Sequence, residues 1–102
     1  MAELPELLAH CTGFQWDRGN SGKNLALHQV ADAEVEQVFF NRPVLVAPDA
    51  KHSQAEARLA VLGVSEAGRA LALVVTVRNG LIRVISARDM SRKERKLYGE
   101  AR

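Results

Sequence analysis

Residues 71–86 read LALVVTVRNGLIRVIS, and this stretch decides the architecture. Two apolar, β-branched runs flank Asn79-Gly80, the dipeptide that best satisfies a type I′ turn because both central positions need positive φ. The reading is a β-hairpin, with Leu71–Val77 as a strand buried on both faces and Leu81–Ser86 as its partner. If Asn79 and Gly80 are the two loop residues, Arg78 pairs with Leu81, Thr76 with Arg83 and Val74 with Ile85. Opposed residues share a face, so Arg78 and Arg83 become diagonal neighbours beside Thr76. Arg88 falls on the opposite face in this register, where it can fasten the sheet to a helix. Two guanidiniums that close call for a carboxylate between them or an anion from outside. Glu56, Arg58 and His52, in the preceding segment, are within reach. A structural arginine–carboxylate network and an anion site both fit.

Outward from the hairpin, Asp89-Met90 leads into Ser91-Arg92-Lys93-Glu94, a capping box that opens a basic helix over 91–101. Upstream lie a strand over Arg58–Val64, a polar loop through Asp49–Ala57 and a short strand at Val44-Leu45-Val46. Asp32 is placed to cap a helix in which Val35, Val38 and Phe39 face inward, until Asn41-Arg42-Pro43 stops it. Gly19 and Gly22 weaken the start of the helix before it, leaving Lys23–His28 as its better half. Phe14-Gln15-Trp16 alternates like a brief strand, and Asp17 offers a cap. Residues 4–11 are apolar at helical spacing, with Pro5 near the start and Gly13 past the end.

A chain of 102 residues is too short for two cores, so one domain is expected over 1–102. With 47% hydrophobic and 25% charged residues, it lies well away from the composition of disordered chains. The single cysteine, Cys11, excludes an intramolecular disulfide and a thiolate zinc cluster. Without an apolar run of membrane length, and with Glu3 and Glu6 where a secretory leader would be basic, a cytoplasmic protein with no membrane partner is expected. Charge is unevenly divided. Residues 1–77 hold six Lys/Arg against nine Asp/Glu, whereas 78–102 hold eight against three. That basic quarter reads either as the footprint of a nucleic-acid partner or as a solvated face favoured by a helix C-terminus.

The remaining polar residues are ambiguous singly. His28 lies one turn after Asn24 on a shared helix face, and suits a helix C-cap as well as a base. His52-Ser53 offers a base and a hydroxyl, yet Ser53 with Glu56 also fits a capping motif. His10, His28 and His52 lack metal spacing, and no phosphate-binding glycine loop is present, so neither metal nor cofactor is expected.

Taken together, these residues resemble the BrnT family, the ribonuclease half of type II toxin–antitoxin pairs, with a fold similar to RelE toxins. The resemblance runs over 14–98, leaving 1–12 as an extension. It is carried by Phe14-Gln15-Trp16-Asp17, Asn24 and His28, Val38-Phe39-Phe40, the segment from Asp49 through His52-Ser53 and Glu56 to Arg58, and Gly63. Val74 to Arg78, Ile82 to Arg88, and Glu94-Arg95 with Tyr98 complete it. The resemblance implies an α+β, RelE-like small domain: a mostly antiparallel sheet with N-terminal helices and a C-terminal helix. It also implies metal-independent RNA cleavage that inhibits translation. Neutralisation by a BrnA-type ribbon-helix-helix antitoxin is implied too, in a 2:2 heterotetramer that reaches operator DNA only through the antitoxin. On that basis Arg78 and Arg83 donate to the phosphoryl oxygens, and His28 or His52, with Tyr98 as alternative, moves protons. Lys23, Asn24, Arg58, Arg88, Arg92 and Arg95 are the expected RNA contacts. The first helical segment departs from the pattern. Asn20 stands where relatives usually carry lysine, and Leu27 and Gln29 replace the lysine and glycine around His28. These departures keep a second reading open, a catalytically degenerate toxin fold that binds antitoxin and acts in nucleic-acid binding or co-repression.

Overall fold

The computed structural model describes residues 5–49 and 56–101. His52 and Ser53 lie outside them. The hairpin forms around Asn79 and Gly80 with φ of 52° and 74°, the positive values a type I′ turn demands. Its strands are β4 (Ala70–Arg78) and β5 (Leu81–Asp89), each longer than the apolar runs alone indicate. With β1 (Gly13–Phe14), β2 (Leu45–Pro48) and β3 (Leu59–Val64) they make a five-stranded sheet in the order β1-β5-β4-β3-β2. All neighbours are antiparallel except β1, which runs parallel to β5. The fold is thus α+β, as expected, with a mixed sheet.

The helical segments are α1 (Glu6–Ala9), α2 (Lys23–His28), α3 (Asp32–Val38) and α4 (Arg92–Ala101). Val30, Val35 and Val38 pack with Leu8 on one sheet face, against Val46, Val61, Leu71, Leu73, Val75, Ile82, Val84 and Ala87. On the other face, α4 lays Tyr98 over Leu45, Leu62, Ala72 and Met90, and the Tyr98 hydroxyl donates to the Pro43 carbonyl at 2.6 Å. α4 covers the β2–β3 side and one end of β4, leaving Thr76, Arg78, Leu81 and Arg83 outside the cluster it buries.

Two expectations about local geometry are corrected. Asp32 is the first residue of α3, not its cap, which is Ala31. The Asp32 carboxylate instead accepts from Ser21 Oγ at 2.8 Å and from the Gly22 amide, tying the start of α2 to α3. The hairpin register holds from Arg78↔Leu81 to Val75↔Val84, but Val74 then pairs with Ser86, because a bulge leaves Ile85 as an extra residue. Such a bulge shifts every later side chain to the other face. Ala87 joins Val84 in the core, and Arg88, pairing with Ala72, comes to the same face as Arg83, not the opposite one.

Arg88 does fasten the sheet to a helix. Its Nη1 and Nη2 donate to the Glu94 carboxylate at 2.7 and 3.0 Å. Glu94 also accepts from the Ser91 amide at 2.8 Å while donating its own amide to Ser91 Oγ at 3.2 Å, completing the capping box. These donors, Arg88 foremost, hold Glu94 down at about 2 from an ordinary 4.5. Because the folded value is depressed, the associated stability is complete above pH 4.5 and is lost as pH falls through about 2. Glu94→Gln is expected to flatten the acid limb of the thermal-stability profile in that window. An acid limb identical to wild type would contradict this account.

Candidate functional site

The turn fixes the arginine pair. Arg78 and Arg83 emerge on the sheet face that α4 leaves open, with Thr76, paired to Arg83, buried between the strands and donating to the Ala57 carbonyl at 2.8 Å. Each guanidinium meets a carboxylate. Arg78 grips Glu56 through Nε at 3.0 Å and Nη2 at 2.6 Å. Arg83 donates from Nη1 to Asp17 at 2.7 Å, from Nη2 at 3.2 Å, and to Gln15 Oε1 at 3.3 Å. The Arg83 bond, then the Gly19 amide, draws the Asp17 carboxyl below its usual range, and Arg78 draws Glu56 down likewise. Each carboxylate also feels the other's arginine, so the four groups form one electrostatic cluster.

The two arginines differ in freedom. The Arg83 side chain is 12% exposed and that of Arg78 46%, so Arg83 is the preorganised member. A Cβ at Gly19 would stand 2.8 Å from Arg83 Nη2 and 3.1 Å from Asp17 Oδ1, so any larger residue here would displace the ends of this ion pair. Asp17 and Glu56 are the site residues that sequence reasoning left without a role of their own. The sequence calls for a carboxylate or an anion beside the pair and puts Glu56 within reach, but Asp17 is offered only the place of a helix cap. It does brace a turn, accepting from the Gly19 amide at 2.8 Å, and its partnership with Arg83 spans 66 residues.

Asn20 explains how that turn is held. β1 pairs only with Leu81 and Ile82, which leaves the rest of β5 with an open edge. Asn20, 3% exposed, donates from Nδ2 to the carbonyls of Gln15 at 2.9 Å and Val84 at 3.1 Å, and accepts from the Asp17 amide at 2.8 Å. Asn24 Oδ1 accepts from the Ala87 amide at 2.9 Å. Two asparagines therefore stand in for a neighbouring strand.

The other expected site residues are dispersed. Asn24 is buried and His28 exposed, so the two do not present a common outer face. His28 ends α2, where its carbonyl and that of Gln29 accept from Arg69, which also grips Asp89. Asp89 lies six residues along β5 from Arg83, roughly 17–20 Å at the rise of a strand. Tyr98 is buried beneath α4 with its hydroxyl bonded to Pro43. Arg58 and Arg88 line the open face, whereas Lys23, Arg92 and Arg95 are exposed on α2 and α4. Among the described residues no group of His, Cys, Asp and Glu is arranged to hold a metal ion, and no helix is long and apolar enough to cross a membrane.

The model of a protein family described as the ribonuclease toxin, BrnT, of type II toxin–antitoxin systems matches residues 16–94. The chain belongs to the BrnT family. No curated protein gave a significant match. The BrnT match begins at Trp16 and ends at Glu94, so it encloses Asp17, Glu56, Arg78 and Arg83 together. Membership implies a protein antitoxin as partner. Inside the matched region Asn20 is a buried hydrogen-bonding hub.

Proposed function

We propose that this BrnT family member is a metal-independent endoribonuclease of RelE-like fold that inhibits translation. The observation that carries the reading is the pair of arginines on an open sheet face, one of them rigidly held. Attack of a ribose 2′-hydroxyl on the adjacent phosphate gathers negative charge on the phosphoryl oxygens, and planar guanidinium forks match that geometry. The 2′-oxygen bonds to phosphorus and loses its proton to a base. The 5′-oxygen leaves with a proton from an acid, giving a 2′,3′-cyclic phosphate and a 5′-hydroxyl. His52, four residues before Glu56 in the chain, is our assignment for proton transfer. His28 lies toward the Asp89 end, and the Tyr98 hydroxyl is committed to Pro43. Glu56 and Asp17 hold the forks until the phosphate replaces them. Exposed Lys23, Arg92 and Arg95 are read as contacts to the RNA backbone, and Arg58 and Arg88 as further RNA contacts on the open face.

The partner in this reading is a BrnA-type ribbon-helix-helix antitoxin, in a 2:2 assembly that carries the complex to operator DNA. A cytoplasmic location goes with it, and 1–102 is read as one domain. A second reading, a degenerate module that binds antitoxin without cleaving RNA, draws on the same pairs, because each arginine is already neutralised by a carboxylate. The deciding experiment incubates antitoxin-free protein with mixed-sequence RNA in chelator and maps the new ends. Cyclic or 3′-phosphate ends are expected, and intact RNA with folded protein would favour the degenerate module.

A further inference from the structure

Beside the arginine cluster the open face carries a groove of about 260 Å³, lined by Arg58, Val74, Ile85, Ser86 and Arg88. It adjoins a second hollow of about 220 Å³ that shares Val74, Ser86 and Arg88 and extends to Glu94. The β5 bulge builds the first groove. Ile85 is the extra residue and Ser86 takes the place opposite Val74, so a strand that would offer one side chain here offers two. The floor is aliphatic, and arginines stand at its margins. Arg88 directs Nη1 and Nη2 to the Glu94 carboxylate and the Asp89 carbonyl, which fixes the plane of its guanidinium as a surface on which a flat ring can stack.

We infer that this groove is a subsite for one unpaired RNA base, seated on Val74 and Ile85 and stacked against a guanidinium. The inference rests on the RNA-cleaving reading and names the neighbour of the scissile phosphate. Val74 lies one same-face step from Thr76, the partner of Arg83, about 7 Å along the strand. A phosphate between Arg78 and Arg83 thus has its adjoining nucleotide beside the groove. The volume is below the roughly 300–1,000 Å³ of sites that take whole drug-sized ligands, as suits a single flat ring. Stacking on a π-face or a guanidinium plane is open to every base, so the site grips without a strong sequence code.

The test measures binding, so that it does not depend on cleavage. Wild-type protein is titrated with a labelled RNA tetranucleotide carrying 2′-O-methyl groups, which cannot form the cyclic product, and with versions lacking the base at one position in turn. Loss of a base at one particular position is expected to weaken binding at least about 10-fold, in line with alanine scans of base-stacking residues, while the other positions matter less. Val74→Glu, which puts a negative charge on the floor, should erase the difference between the intact and abasic strands. Equal affinity of intact and abasic strands for wild type, or a Val74→Glu protein that still discriminates them, would overturn the subsite. Absence of cleavage with base-dependent binding intact would count against the ribonuclease reading alone.

Discussion

Replacing Arg83 by alanine is expected to reduce RNA cleavage by roughly 100- to 1,000-fold, the usual cost of removing one preorganised donor from a developing oxyanion. The size of the effect follows from how the side chain is held. Arg83 is 12% exposed and fixed by Asp17 and Gln15, so its fork need not be ordered when the phosphate arrives. Arg78 has greater freedom, and Arg78→Ala should cost less. Arg83→Lys keeps the charge and loses the planar fork, so only part of the rate should return. Asp17 remains largely solvated without its partner, and the variant should melt within a few degrees of wild type. Single-turnover cleavage alongside thermal melts provides the measurement. An Arg83→Ala protein with more than about one-tenth of wild-type activity would remove Arg83 from the chemistry.

Asn20→Ala should be the most damaging single change outside the apolar core. It strands the Asp17 amide and the carbonyls of Gln15 and Val84, the last of which lies on the β5 edge beyond its pairing with β1. Leaving a buried polar group unpaired costs about 1–3 kcal/mol. A net loss of about 3 kcal/mol is expected, on the order of 10–20 °C in melting temperature for a chain of this size. The activity should fall as well, even well below the melting point, because the Asp17 turn then no longer orients Arg83. Asn20→Asp separates the causes, since it keeps an acceptor for Asp17 and removes both donations. Chemical denaturation of the three proteins decides the matter, and a loss under about 1 kcal/mol for Asn20→Ala would show that water replaces the side chain.

Much of the frame was readable from local chemistry. Asn79-Gly80 could only be a tight reversal, and that placed Arg78, Thr76 and Arg83 on one face. Ser91 and Glu94 marked the last helix because their side chains cap each other's amides. Other features depend on residues that the chain brings together from afar. The Asp17–Arg83 bond and the Asn20–Val84 bond each cross more than sixty positions, and no spacing rule reaches that far. Asn20 looked like a lost cation because its value lies in a strand edge that only the sheet order reveals. The bulge occupies middle ground. Val84-Ile85 breaks strict alternation, and Ala87 resumes the apolar series an odd number of residues after Val84, a signal the hairpin register overrode.

That bulge gives β5 two reading frames. Before it, odd-numbered residues look toward the open face and even-numbered ones toward the core; after it the parity is reversed. Arg83 and Arg88 belong to different frames although they share a surface. Each half of the strand can therefore be tuned by substitution on its own, one half for the chemistry at the turn and the other for its grip on α4. Spacing between the halves is the quantity that cannot drift, because a one-residue change in length would exchange inside for outside.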